Sequence, residues 1–365
     1  MKALESGKIY TNANPVNNFD PNDIFGYTAE SGSHAVKDGL SDVYYTIELE
    51  NDPEIATAPA HEIIVADTLD ATKFDLSTFK PSRVKIGDKE AELTGDKNFV
   101  TTIDMRPEIN AIAQVEGTFD QKKGIAKWHI SSLDPMTMEP TDDVMQGVLP
   151  VNHGGNGMGE LMFDISLKPN LAHGTAIDNR AAIVFDQNDA IMTPTWTNTI
   201  DRVKPVSRIS DVNLASDTTA VVSITASDEG SGPWRYDVYV QYGSGAWFKA
   251  AENVPADTTA TVKIYEGIEH HFYCVATDMA GNVEQKEARS EFTLIVSEHE
   301  HGDANGDGHV DVADIAEVID TMARGKYNIH ADANGDGAVD VADIATVIDI
   351  MATRARMSEK EDTTD

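Results

Sequence analysis

The sequence predicts a mostly β protein: two tandem β-sandwich domains, then a small all-α module of paired loop-helix units. Three observations carry this. Short apolar-polar alternations recur from about residue 18 to 297, turns rich in Gly, Asp, Asn and Ser separate them, and a 22-residue unit near the C-terminus is written twice. Alternation with period two leaves one face of a strand to be buried, whereas apolar residues recurring every three to four positions ask for helices. The expected division is a lead-in over 1–17, a first sandwich over 18–203 and a second over 204–297. The helical module then spans 298–355, and a disordered acidic tail spans 356–365.

In the first sandwich, Tyr45, Ile47 and Leu49 alternate with polar neighbours, as do Leu161, Phe163, Ile165 and Leu167, and Trp128 with Ile130. Residues 132–159 form the longest stretch without periodicity and contain Met136, Met138, Met145 and Met158. Long loops inside compact domains are often functional, so a glycan or protein contact is weighed there against an ordinary connection. The stretch ends on His153-Gly154-Gly155-Asn156-Gly157, which lacks the preceding strand and the Lys-Ser/Thr ending of a phosphate-binding loop.

The second sandwich reads as seven or so short strands, six of them over 221–226, 236–240, 246–249, 259–264, 271–276 and 292–296. Cys274 is the single cysteine, so no disulfide forms within the chain, and its place in a strand marks it as a small core residue.

The repeated unit occupies 303–324 and 332–353, with 18 positions identical and a period of 29. A calcium ion takes six to eight oxygens, and a short loop supplies them from positions 1, 3, 5, 7, 9 and 12, with Gly at 6 to turn the backbone. In the first copy these are Asp303, Asn305, Asp307, the carbonyl of His309, Asp311 and Asp314, with Gly308 at the turn. The second copy supplies Asp332, Asn334, Asp336, the carbonyl of Ala338, Asp340 and Asp343, with Gly337. Position 12 is Asp rather than the usual Glu in both.

The segment 297–302 is too short and polar for an entering helix, so each unit is a loop plus an exiting helix. The helices carry matching stripes, Ile315, Val318, Ile319 and Met322, then Ile344, Val347, Ile348 and Met351. Val310 and Val339 are expected to pair as a short two-stranded link. Four Asp side chains per loop repel one another, so the module is expected to be largely unstructured without calcium. His299 and His301, flanked by Glu298 and Glu300, are weighed as transition-metal ligands against a polar hinge.

This arrangement resembles a type I dockerin, the calcium-dependent module by which bacterial extracellular proteins plug into a cohesin domain; the likeness covers about 55 residues. The resemblance implies two calcium ions and a cohesin partner. It also implies that loop positions 10 and 11, here Val312, Ala313, Val341 and Ala342, touch that partner, either copy serving after a half turn. Small apolar side chains suggest contact by shape and burial, the alternative being that they pack inside the module. The stretch 234–240 with HFYCVATDMAGN at 271–282 resembles bacterial fibronectin type III or immunoglobulin-like modules. The segments 20–23, 43–51, 179–186 and 196–201 resemble a β-sandwich repeat of unknown function in large bacterial surface proteins.

The formal charge of -34 disfavours nucleic acid and anionic membranes, because phosphates demand clustered Lys and Arg. No apolar run approaches a membrane span in length. No secretory signal follows Lys2, and the expectation is of the C-terminal part of a longer or processed extracellular product. No Gly-x-Ser-x-Gly elbow or defined carboxylate cleft is present, so the expected function is non-catalytic. The chain is expected to dock onto a cohesin-bearing scaffold or surface and assemble an extracellular, cellulosome-like complex for polysaccharide breakdown. A surface adhesin binding a glycan or protein is the first alternative, and a hydrolase within 18–203 the second.

Overall fold

The structure is a computed structural model that describes residues 22–141, 143–216, 218–296 and 301–361. Among the described residues, twenty-one strands are followed by two helices. The early strands are β1 (Asp23–Gly26), β2 (Ala35–Lys37), β3 (Asp42–Glu50), β4 (Glu62–Thr68), β5 (Phe74–Ile86), β6 (Lys89–Glu92) and β7 (Phe99–Asp104). Next come β8 (Ile112–Asp120), β9 (Ile125–Leu133), β10 (Met158–Leu167), β11 (Ala176–Asn179), β12 (Ala181–Phe185), β13 (Ile191–Met192) and β14 (Trp196–Asp201). The last strands are β15 (Val206–Leu214), β16 (Thr219–Ser227), β17 (Pro233–Tyr242), β18 (Phe248–Pro255), β19 (Ala260–Lys263), β20 (Ile268–Asp278) and β21 (Phe292–Val296). Helices α1 (Val312–Arg324) and α2 (Val341–Glu361) close the chain.

The chain forms two compact units. Among the described residues the first comprises 22–27, 40–171 and 175–198, and the second 28–39, 172–174 and 199–361. Residues 35–37 return to the second unit as β2, which pairs parallel with the end of β14, Thr199 opposite Ala35 and Asp201 opposite Lys37.

The first unit sets the sheet β1-β3-β10-β5-β6 against the sheet β13-β12-β4-β9-β8-β7. Period-two burial along β3 places Val43, Tyr45, Ile47 and Leu49 inward, and along β10 Leu161, Phe163, Ile165 and Leu167. Across the gap, Phe79 of β5 stacks on Phe119 of β8 at 4.2 Å between ring centres, and Trp128 of β9 lies 5.9 Å from Phe163 of β10. Each such pair adds about 1 kcal/mol beyond the area it buries. Trp128 is therefore core, 2% exposed, and offers nothing to a ligand. The buried carboxyl of Asp67 accepts from Asn179 Nδ2 at 2.9 Å, and desolvation pushes its pKa up to about 7.

The Met-rich connection from β9 to β10 is pinned by the buried pair Val148 and Leu149, and Leu149 bridges Ala60. Met136, Val144 and Met145 project outward. Its glycine run is a turn held by Asn152 Oδ1, which accepts from the backbone N–H groups of Gly155 and Gly157.

In the second unit, β15-β16-β19 faces β18-β17-β20-β21 as a seven-stranded sandwich. Strand β15, absent from the segments read in the sequence, completes the smaller sheet by pairing Val212 with Val222. Cys274 is fully buried in the core with Phe272, Val238 and Val222, and burial pushes its thiol pKa up to about 12. It is the small core residue expected.

Candidate metal centre

Each repeat folds as a loop feeding a helix. In the first, Asp303 sits 4% exposed, its two carboxylate oxygens accepting from the backbone N–H groups of Asp307 at 3.1 Å and Gly308 at 2.8 Å. Gly308 occupies φ +86°, a left-handed backbone that a side chain would strain. Asp314 is fully buried and bridges the loop, Oδ1 accepting from Asn305 N at 3.1 Å and Oδ2 from Asp311 N at 2.7 Å. Asp311 caps α1 by accepting from Ala313 N at 2.7 Å, so Asp311 and Asp314 form a reciprocal capping box.

The second loop repeats this arrangement closely. Asp332 accepts from Asp336 N at 3.2 Å and Gly337 N at 2.9 Å, and Asp343 from Asn334 N at 3.1 Å and Asp340 N at 2.7 Å. Asn305 and Asn334 each accept from the N–H two residues on, at 2.9 and 2.8 Å, as Asp307 does from His309 and Asp336 from Ala338. Side chains at positions 1, 3, 5, 9 and 12 are thereby oriented by their own loop.

The donor set fits a hard dication. It consists of carboxylate and amide oxygens plus the carbonyls of His309 and Ala338, and among the described residues no Lys or Arg pairs with any loop carboxylate. Asp303, Asp314, Asp332 and Asp343 are nonetheless nearly or fully buried. The loop carboxylates are spread around the turn, and no three of them bring oxygens within 4.8 Å of one another.

The helix stripes divide. Val318 and Val347 are fully buried against each other's helix with Ala304, Ala331 and Ala333, and Ile315, Met322, Ile344 and Met351 flank them. Ile319 and Ile348, expected inside, are instead 52% and 51% exposed, because the two short helices meet along a single seam. Val310 and Val339 do not pair as strands; they pack sideways onto the same cluster, and among the described residues no bridge joins them. Val312 and Val341 are each 68% exposed, and Ala313 and Ala342 are exposed too, so this apolar quartet lies outside the module's core. Helix α2 continues to Glu361, into the segment expected as a disordered tail. His301 lies in a turn, while Glu298, His299 and Glu300 fall outside the described residues.

Residues 301–352 match the model of the dockerin type I domain. The dockerin thus lies at the C-terminus of a mostly β chain, where the duplicated unit predicts it. Residues 147–199 match a domain of unknown function, DUF7619. Dockerin type I domains bind calcium, which suits the oxygen donors described above. No curated protein matches the chain. Among solved structures, the fibronectin(III)-like modules of Clostridium thermocellum CbhA are 11% identical, with a TM-score of 0.27 over 76% of this chain and 98% of that one. The C-terminal domain of the Streptococcus pyogenes antigen I/II-family protein AspA is 9% identical, with a TM-score of 0.33 over 73% of this chain and 98% of that one. A collagen-binding domain from a Staphylococcus aureus adhesin is 9% identical, with a TM-score of 0.27 over 51% of this chain and 100% of that one.

One acidic group escaped the sequence reading. Asp201, Asp228 and Asp278 bring an oxygen each within 4.8 Å, two of them from Asp/Gly-rich turns that read as mere punctuation. Backbone N–H groups of Ser231, Gly230 with Gly232, and Asn282 hold the three carboxylates in turn. Desolvation, with the charges of Asp201 and Asp228, pushes the pKa of Asp278 up.

Proposed function

We propose that this chain is a non-catalytic, extracellular display segment that takes two calcium ions in its dockerin and docks onto a cohesin of a scaffold or cell surface. The complex assembled is of the cellulosome kind, serving polysaccharide breakdown. The domain limits proposed are 18–203, 204–297 and 298–355, the two sandwiches spacing and presenting their neighbours. Calcium, held by Asp303, Asn305, Asp307, His309, Asp311 and Asp314 and by their counterparts from Asp332 to Asp343, would neutralise the loop carboxylates and fix both helix starts.

The observation that carries this reading is a pair of matching apolar patches. Val312, Ala313 and Ile319 on one helix and Val341, Ala342 and Ile348 on the other stand outside the core to almost equal extents. A small module leaves such residues outside its core where a partner covers them. The chain with Val312→Asp and Ile319→Asp, the mirror pair Val341→Asp and Ile348→Asp, and all four changes together should be tested in calcium against immobilised type I cohesins. Either pair alone should retain capture within about tenfold, since one desolvated apolar patch suffices, whereas the fourfold variant and chelator should each abolish it. Capture that survives both would refute the assignment. No helix among the described residues is long and apolar enough to cross a membrane.

The adhesin alternative draws support from Met136, 89% exposed, and Met145, 70% exposed, on the loop between β9 and β10. Retention of the chain on a glycan or protein array without turnover, lost on Met136→Lys with Met145→Lys, would favour it; turnover would favour a hydrolase.

A further inference from the structure

The two calcium loops are near copies in sequence and geometry, yet their surroundings differ. The linker between α1 and the second loop carries Tyr327 and Ile329. Ile329 is 3% exposed, and it is buried in the core of the second-unit sandwich with Ile209, Val212 and Val262. Tyr327 packs on that same cluster, and its hydroxyl donates to Asp332 Oδ2 at 2.9 Å. Asp332 is position 1 of the second loop. At the tip of that loop, a Cβ on Gly337 would lie 3.9 Å from the side chain of Ser216, in the turn between β15 and β16. The sandwich therefore reaches the second loop through Tyr327, and its β15–β16 turn lies close to the loop's turn glycine.

Among the described residues the first loop has neither contact. One period earlier, the positions of Tyr327 and Ile329 are Glu298 and Glu300, which have neither an aromatic hydroxyl nor an apolar body. The carboxylate of Asp303 accepts from its own loop, from Asp307 N and Gly308 N.

We propose that Tyr327 is a positioning residue for the second calcium loop, seated by the sandwich, and that it makes the two sites unequal, the second binding calcium more tightly. This rests on the calcium reading given above. A ligand carboxylate held by an outer hydrogen bond loses less freedom when the metal arrives. Such outer partners change metal affinity by roughly 10- to 100-fold when removed. The coupling is reciprocal: calcium in the second loop must tighten the seat of Ile329 in the sandwich by the same factor.

The test is a calorimetric titration of the full chain, stripped of metal, with calcium chloride. The intact chain should show two classes of site separated by about tenfold or more. Asp332→Ala should delete the tighter class and Asp303→Ala the weaker. Tyr327→Phe, which keeps the ring packing and removes only the hydroxyl, should weaken the tighter class alone by about tenfold. Ile329→Ala should do the same through the seat, and calcium should slow amide exchange across 206–222 in the intact chain but much less in this variant. Two equal sites, or a Tyr327→Phe effect that is absent or shared by both classes, would overturn the inference while leaving calcium binding intact. A chain that takes up no calcium would overturn both.

Discussion

Replacing Asp314 by Ala removes a fully buried carboxylate that accepts from Asn305 N at 3.1 Å and Asp311 N at 2.7 Å. Hydrogen bonds to a charged acceptor contribute about 1.5–3 kcal/mol each, and the second of these is half of the capping box that starts α1. Removing one of four negative charges from the loop relieves repulsion and offsets part of that loss, leaving a net destabilisation of roughly 3 kcal/mol for the first loop and helix. In amide exchange of the full chain in calcium, segment 305–324 should lose protection by about 100-fold, while 334–353, its near copy, serves as an internal reference and changes little. Asp314→Asn keeps one acceptor oxygen and should lie between. Equal protection of the two copies in Asp314→Ala would refute the reasoning, since it would mean the buried carboxylate holds nothing that backbone and packing do not.

Two further outcomes follow from buried groups in the sandwiches. Asp67 has its folded pKa raised to about 7 from 3.8, so its contribution is most favourable in acid and is lost as pH rises from about 4 through 7. Asp67→Asn, which mimics the neutral acid, should match the intact protein in urea denaturation at pH 4 and exceed it at pH 8, by at most about 4 kcal/mol. A difference that does not change with pH would show that the buried acid does not titrate on unfolding. Cys274, fully buried with its pKa raised to about 12, should resist iodoacetamide at pH 8 in the native chain and react only in denaturant. Native labelling at the denatured rate would place the thiol outside the core.

The local chemistry of the dockerin was legible in the sequence because both of its signals are short-range. Ligand positions in a loop are counted along the backbone, and Gly306 with Gly308, like Gly335 with Gly337, stands where each loop turns through positive φ. Helix stripes likewise follow from 3.6 residues per turn, which is why Val318 and Val347 fall inside as read. In the sandwiches, alternation along β3 and β10 correctly assigned the inward faces, and the strand setting of Cys274 its burial. Periodicity says which residues share a face but not how wide a partner covers it. Only the packed helices decided that Ile319 and Ile348 stay outside and that Val310 and Val339 join the helical seam instead of each other. The return of 35–37 beside the end of β14, the grouping of Asp201 with Asp228 and Asp278, and the reach of Tyr327 to Asp332 all join residues through the fold. Composition and spacing alone determined that this chain carries two equivalent oxygen-rich loops; tertiary packing made them different, because only one is pressed against a hydrophobic core that the local pattern cannot see.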